Sequence, residues 1–295
     1  MTHVATFIAS HKLEGAALDA AGSLLLRAEA PVWLTTNVAA DEPLSPESLV
    51  DQRVLAGRLR EAVGAGIDVI VQPALGRRKK LFLADMDSTM IEQECIDELA
   101  AYVGLKEHVA KITERAMRGE IAFEPALRER VALLKGLPVS VVDEVIEKHI
   151  TLTPGARTLV ATMRAHGART CLVSGGFTLF TSRIAAMIGF DETHANRLTI
   201  DADRFAGTVD EPIFGRASKL ESLRRLRAQL GLTREETLVV GDGANDLDMI
   251  LEAGLGVAYH AKPKVAEAAA ARIDYTNLTA LLYAQGYRRE EFVEV

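Results

Sequence analysis

Cysteine is nearly missing from this chain. Its 295 residues hold two, Cys95 and Cys171, each inside an apolar stretch and with no C-x-x-C spacing. That excludes a disulfide framework and a thiolate zinc centre, and suits buried thiols in a reducing compartment. Aromatic residues are scarce, at 5%, and the formal net charge is −7. With no basic run carrying interleaved aromatics, no nucleic-acid partner is expected. The one basic cluster, Arg77-Arg78-Lys79-Lys80, reads as a solvated linker face. No uninterrupted apolar segment approaches the roughly 18 residues that a bilayer crossing requires. Met1 to Gly15 has neither the basic start nor the apolar centre of a secretory signal. These absences together lead us to expect a cytoplasmic protein without a membrane partner.

What is present is enough apolar material for one large core or two, at 48% hydrophobic residues. Val4–Ala9, Val32–Thr36 and Ile67–Gln72 read as strands and Arg53–Ala65 as a helix, punctuated by Pro31, Pro43, Pro46 and Pro73. Residues 1–76 therefore form a small α+β unit. It carries none of the chemical clusters described below, so a regulatory or dimerising role is expected. From Leu81 onward strands alternate with helices, with further strands at Thr170–Val173, Thr237–Gly241 and Gly254–Tyr259. This alternation implies an α/β fold with a doubly wound parallel sheet. Between Ile91 and Ile150 only amphipathic helical spacing occurs. An all-helical insertion after the first strand of the sheet, at about residues 95–150, is a natural lid.

The apolar run Leu81-Phe82-Leu83-Ala84 ends abruptly in Asp85-Met86-Asp87-Ser88-Thr89. Burying two carboxylates would be costly without a cation or hydrogen bonds. They belong at the carboxyl end of a strand, where open α/β sheets bind ligands. Asp, Ser and Thr also make ordinary turns, so this motif alone leaves both readings open. Three further clusters narrow it. Ser174-Gly175-Gly176 ends a strand with a hydroxyl and unobstructed amides suited to a phosphate oxygen. Lys219, near the start of a helix, could neutralise a phosphoryl group. Asp242, Asn245 and Asp246 offer the hard oxygens that Mg²⁺ prefers. Each alone could be a loop or a surface side chain; their order and their placement at strand ends argue for one site.

In these residues the chain resembles the haloacid dehalogenase superfamily phosphatases, and in detail the members that act on phosphoserine. The resemblance covers about residues 80–285. It runs through Asp85-Met86-Asp87-Ser88-Thr89, Glu94, Ala116-Met117-Arg118-Gly119-Glu120, Phe123, Arg130, Thr153-Pro154-Gly155, Val173-Ser174-Gly175-Gly176-Phe177, Ala195-Asn196-Arg197-Leu198 and Gly241-Asp242-Gly243-Ala244-Asn245-Asp246. The superfamily core would be a Rossmann-like sheet with a helical cap, and residues 1–76 loosely resemble ACT-like regulatory domains, which makes a homodimer plausible. The family usually has a lysine-glycine pair where Ser218-Lys219-Leu220 stands, so Arg216 is the alternative cation.

The resemblance implies an Mg²⁺-dependent hydrolysis of O-phospho-L-serine, the last step of serine synthesis, through an aspartyl phosphate. Asp85 would be the nucleophile, Asp87 the general acid and base, and Lys219 the phosphoryl cation. Asp85, the Asp87 backbone carbonyl and Asp242 would hold the metal. Glu94 would meet the substrate amino group and Arg130 its carboxylate. Met117 and Phe123 would close over the substrate, and Ser174, Gly175, Gly176 and Asn245 would line the phosphate side. Phosphate transfer to a second small alcohol, or hydrolysis of another small phosphomonoester, remains open, as does a sensing role for residues 1–76.

Overall fold

A computed structural model describes residues 3–25, 30–44 and 51–295; Pro46, read above as a break, lies outside them. The amino-terminal unit runs β1 (His3–Ala9), α1 (Gly15–Leu25), β2 (Val32–Thr35), β3 (Ala39–Leu44), α2 (Gln52–Val63) and β4 (Ile67–Pro73). Its four strands form an antiparallel sheet in the order β2-β3-β1-β4. The sequence signal misses α1 and β3. Pro43 explains the second omission, since proline within a run speaks against a strand. Asp51 caps α2, accepting from the Arg53 and Val54 amides at 2.8 and 3.1 Å.

The second unit opens with β5 (Leu81–Ala84) and the helical insertion α3 (Cys95–Ala101), α4 (Lys106–Met117), α5 (Phe123–Ala132) and α6 (Val141–His149). It continues through α7 (Ala156–Ala165), β6 (Arg169–Phe177), α8 (Thr178–Ile188), β7 (Glu192–Asn196) and the hairpin β8 (Leu198–Asp201) and β9 (Arg204–Val209). Then come α9 (Arg216–Gln229), β10 (Thr237–Gly241), α10 (Leu247–Glu252), β11 (Leu255–Tyr259), α11 (Pro263–Ala268), β12 (Ala271–Ile273) and α12 (Ala280–Ala284). Six parallel strands order as β12-β11-β10-β5-β6-β7. The fold is thus the expected α/β architecture with a small additional antiparallel unit.

Burial follows from the sequence of each strand. β5, β10 and β11 are buried along their whole length and, apart from Thr237 at the start of β10, carry no strongly polar side chain, as a sheet covered on both faces requires. The chain leaves β5 toward β6 and β7, returns, and continues on the other side through β10. The switch point lies between β5 and β10, where a crevice opens at the carboxyl ends of the strands. Asp85 and Asp242 leave those two neighbouring strands, and the Asp85 amide still donates to the Val240 carbonyl at 3.0 Å. Packing continues past residue 285: Tyr287 is fully buried and the Val293 amide donates to Thr162 Oγ1 at 2.8 Å.

Candidate active site

Beyond β5 the backbone turns tightly. Ser88 adopts a left-handed conformation, φ 54°, uncommon for a residue other than glycine. Its amide donates to the Gln93 carbonyl at 3.3 Å and its hydroxyl to Glu94 Oε1 at 2.6 Å. The turn therefore aims Glu94 back at the strand end. Asp85 accepts from the Met86 amide at 2.7 Å. Asp87 accepts from the Cys95 amide at 3.0 Å and, at a long 3.4 Å, from the Ser174 hydroxyl.

Lys219 comes from the second turn of α9 and is completely buried. Its Nζ lies 2.7 Å from Asp85 Oδ1 and 2.7 Å from Asp246 Oδ1. Arg216, the alternative cation, is exposed and paired with Asp248. Carboxylate oxygens of Asp85, Asp242 and Asp246 lie within 4.8 Å of one another. Lys219 and the Gly243 amide engage Asp246, but both Asp242 oxygens are buried without a hydrogen-bond partner. A buried carboxylate left so is costly unless a cation meets it. Hard oxygens around one such orphan fit a divalent ion of the Mg²⁺ type.

Electrostatics agree with the geometry. Burial, then the Asp246 charge, pushes Asp85 well above the ordinary carboxylate range, opposed by Lys219. Burial raises Asp87, opposed by its hydrogen bonds from Cys95. Burial and Asp246 raise Asp242 to about 7. Glu94 is pushed well up by burial and by the Asp87 charge. For Lys219, burial acts to lower the value, but Asp246 and Asp85 outweigh it and hold the ammonium charged.

Above these groups lies a cavity of about 170 Å³, lined on the sheet side by Asp85, Asp87, Ser174, Gly175, Gly176 and Asn245. Glu94, Met117, Phe123 and Arg130 line it from the insertion. Arg130 is buried; its Nη1 donates to Thr113 Oγ1 at 2.8 Å, and that hydroxyl donates to Asp97 Oδ1 at 2.7 Å. Two glycines are dictated by this closeness. A Cβ at Gly175 would sit 2.8 Å from the Phe123 ring, and one at Gly243 2.5 Å from both Asn245 Oδ1 and Met117 Cε. Every site residue expected from the sequence is thus in one place. The Asp97–Thr113–Arg130 relay was not anticipated, because on amphipathic helices such residues look like any solvated face. Cys171 lies near Glu192 and His194, but Arg169 and Arg225 already engage those side chains.

Residues 82–251 match the haloacid dehalogenase-like hydrolase family. A phosphoserine phosphatase from Streptomyces coelicolor is 46% identical over 233 residues, 78% of this chain and 57% of that one. The phosphoserine phosphatase of Archaeoglobus fulgidus is 43% identical over 248 residues, 81% of this chain and 72% of that protein. The chain belongs to the haloacid dehalogenase-like hydrolases. It spans little more than half of the Streptomyces relative's length. A family hydrolase from Salmonella enterica serovar Typhi superposes with TM-score 0.85 at 29% identity, over 96% of this chain and 98% of that one. A phosphoserine phosphatase solved as a phospho-aspartyl intermediate analogue gives TM-score 0.67 at 39% identity, over 70% and 98%. Among the described residues, no helix is long and apolar enough to cross a membrane.

Proposed function

We propose that this chain hydrolyses O-phospho-L-serine to L-serine and phosphate through an aspartyl phosphate on Asp85. The observation that carries the reading is the single cavity lined by a buried carboxyl, Asp85, together with an acidic and a basic side chain of the insertion, Glu94 and Arg130. A phosphorylated amino acid presents one ammonium and one carboxylate beyond its phosphate, and those two charges complement that pair.

Asp85 attacks phosphorus and the serine oxygen leaves, which splits one difficult displacement into two easier ones. Asp87 protonates that oxygen as it departs, a role favoured by a carboxyl held above its usual range. It then takes a proton from the water that hydrolyses the aspartyl phosphate. Burial and the Asp246 charge oppose ionisation of the nucleophile, and Lys219 at 2.7 Å counters them in part. The Ser174 hydroxyl, the Gly175 and Gly176 backbone and Lys219 hold the phosphoryl oxygens in line, and Asn245 closes the phosphate side. Asp85, the Asp87 backbone carbonyl and Asp242 would hold Mg²⁺, which when bound supplies positive charge between phosphate and carboxylate. Met117 and Phe123 exclude water. We assign residues 80–285 to catalysis and residues 1–76 to regulation or dimer formation. The free, buried cysteines fit a reducing, cytoplasmic setting.

The test is phosphate release from O-phospho-L-serine with Mg²⁺, beside p-nitrophenyl phosphate, for wild type and Asp85→Asn. Release from phosphoserine that falls by about 10³-fold or more in the variant is expected. Turnover of the generic ester alone would keep the phosphoenzyme and discard the reading of Glu94 and Arg130.

A further inference from the structure

Asn196 ends β7 behind the cavity wall, 3% exposed, and none of the steps above uses it. Its Nδ2 donates to the Gly175 carbonyl at 2.8 Å and to the Phe214 carbonyl at 2.9 Å. Its Oδ1 accepts from the Phe214 amide at 2.6 Å. Both donor hydrogens are used, and reversing the amide would set its oxygen against two carbonyls. One side chain therefore joins two loops that no backbone ladder joins.

The first is the phosphate loop. The β6–β7 register breaks between Val173 and Phe177 and resumes at Phe177 opposite Asn196, so the intervening residues bulge out of the ladder. Within that bulge, the peptide linking Gly175 to Gly176 is gripped at both ends. Asn196 takes its carbonyl, and the Gly176 amide donates to Ser174 Oγ at 2.8 Å. The second loop leads into the lysine helix: with Phe214 fixed through both its N–H and its C=O, Gly215 follows, and the Gly215 carbonyl accepts from the Lys219 amide at 3.0 Å. Both loops also seat the lid. A Cβ at Gly215 would lie 3.3 Å from the Phe123 ring, which equally covers Gly175.

We propose that Asn196 is a positioning residue that sets the Ser174–Gly176 loop and the Lys219 helix at a fixed separation, and so aligns the two groups that hold the transferring phosphoryl. The inference rests on the phosphatase reading. It touches no substrate; it acts through the peptide planes it holds, and small misplacement of such groups costs about 10²-fold in rate.

Asn196→Ala removes all three bonds. Asn196→Asp keeps the shape and the acceptor but turns both donations into carboxylate–carbonyl repulsions. Both variants are assayed on phosphoserine and on p-nitrophenyl phosphate, well below their melting temperatures, with inorganic phosphate as competitive inhibitor. We expect kcat to fall by about 10²-fold while KM for phosphoserine stays within about threefold, since Glu94 and Arg130 are undisturbed. Phosphate inhibition should weaken in both, with Asn196→Asp no better than Asn196→Ala. A lowered melting temperature with wild-type kcat and phosphate affinity would overturn the proposal, leaving Asn196 a structural residue only. If Asn196→Ala does not fold, the isosteric Asn196→Asp decides by the same readouts. Wild-type protein inactive on phosphoserine but active on the generic ester would instead sink the substrate reading, and Asn196 is then judged on that ester.

Discussion

At the scale of single residues, what separates this site from a turn is uncompensated charge. Asp85, Asp242 and Asp246 share one buried spot with one lysine, so the protein alone leaves negative charge in excess and Asp242 without a partner. Asp85, Asp87 and Asp242 were legible because carboxylates interrupt apolar strands there. Lys219 was less so, since one lysine among many on a helix has no spacing to mark it, and only packing shows it buried. A second buried lysine carries a testable charge. Burial lowers Lys79 to about 8, although Glu235 acts to raise it. A lysine depressed in the folded state binds fewer protons than the unfolded chain between about pH 8 and its ordinary 10.5, so stability must rise with pH across that window. Below pH 8 the full penalty of the buried charge is present. Urea midpoints of wild type and Lys79→Met, taken from pH 7 to 11, should converge or cross in favour of wild type only above about pH 8.

At the scale of elements, the lid and the glycine loops are built to touch. Gly175→Ala would drive a methyl into Phe123, so kcat/KM for phosphoserine should fall by about tenfold or more. Adding Phe123→Leu should recover part of the loss, a coupling that a double-mutant cycle reads directly. Two independent losses would mean that the ring and the loop do not meet. The base of the lid is held differently. The Gly136 and Val139 amides donate to the Phe205 and Asp203 carbonyls of the β8–β9 hairpin at 2.8 and 3.0 Å, and Arg128 pairs with Glu211. That hairpin escaped the sequence reading for a local reason. Ala202 and Asp203 both take positive φ at its turn, where Asn-Gly or Asp-Gly would have given the signal.

At the scale of the whole molecule, the amino-terminal sheet is buried on both faces, unusual for an antiparallel sheet. One face packs Phe7, Val69 and Val71 against its own helices, and Ile8 and Ile70 join the core of the second unit. Arg77 fastens the two, pairing with Asp41 at 2.6 Å and donating to the Thr6 hydroxyl and to the Tyr283 and Ala284 carbonyls. Asp68 accepts from the Asp274 and Thr276 amides at 2.7 and 2.9 Å. Arg77→Ala should therefore destabilise the protein by about 3 kcal/mol, because it leaves the buried Asp41 carboxylate with the Thr6 hydroxyl but without its cation. Urea unfolding measures it, and a loss below about 0.5 kcal/mol would mean the pair is no more than a surface contact.

The sequence by itself determined the α/β alternation, the place of the helical insertion and the identity of most groups in the site. Those follow from periodicity and from polar residues at the ends of apolar strands, which are local properties of the chain. Only the tertiary structure decided that Lys219 rather than Arg216 faces Asp85, that Thr113 and Asp97 hold Arg130, and that Asn196 joins two loops. It also decided that residues 77–80, read as a solvated linker, contain a buried lysine and the arginine that fastens the two units. Each of those is a contact between segments far apart in the chain, and no spacing along one segment records which distant partner will neutralise its charge.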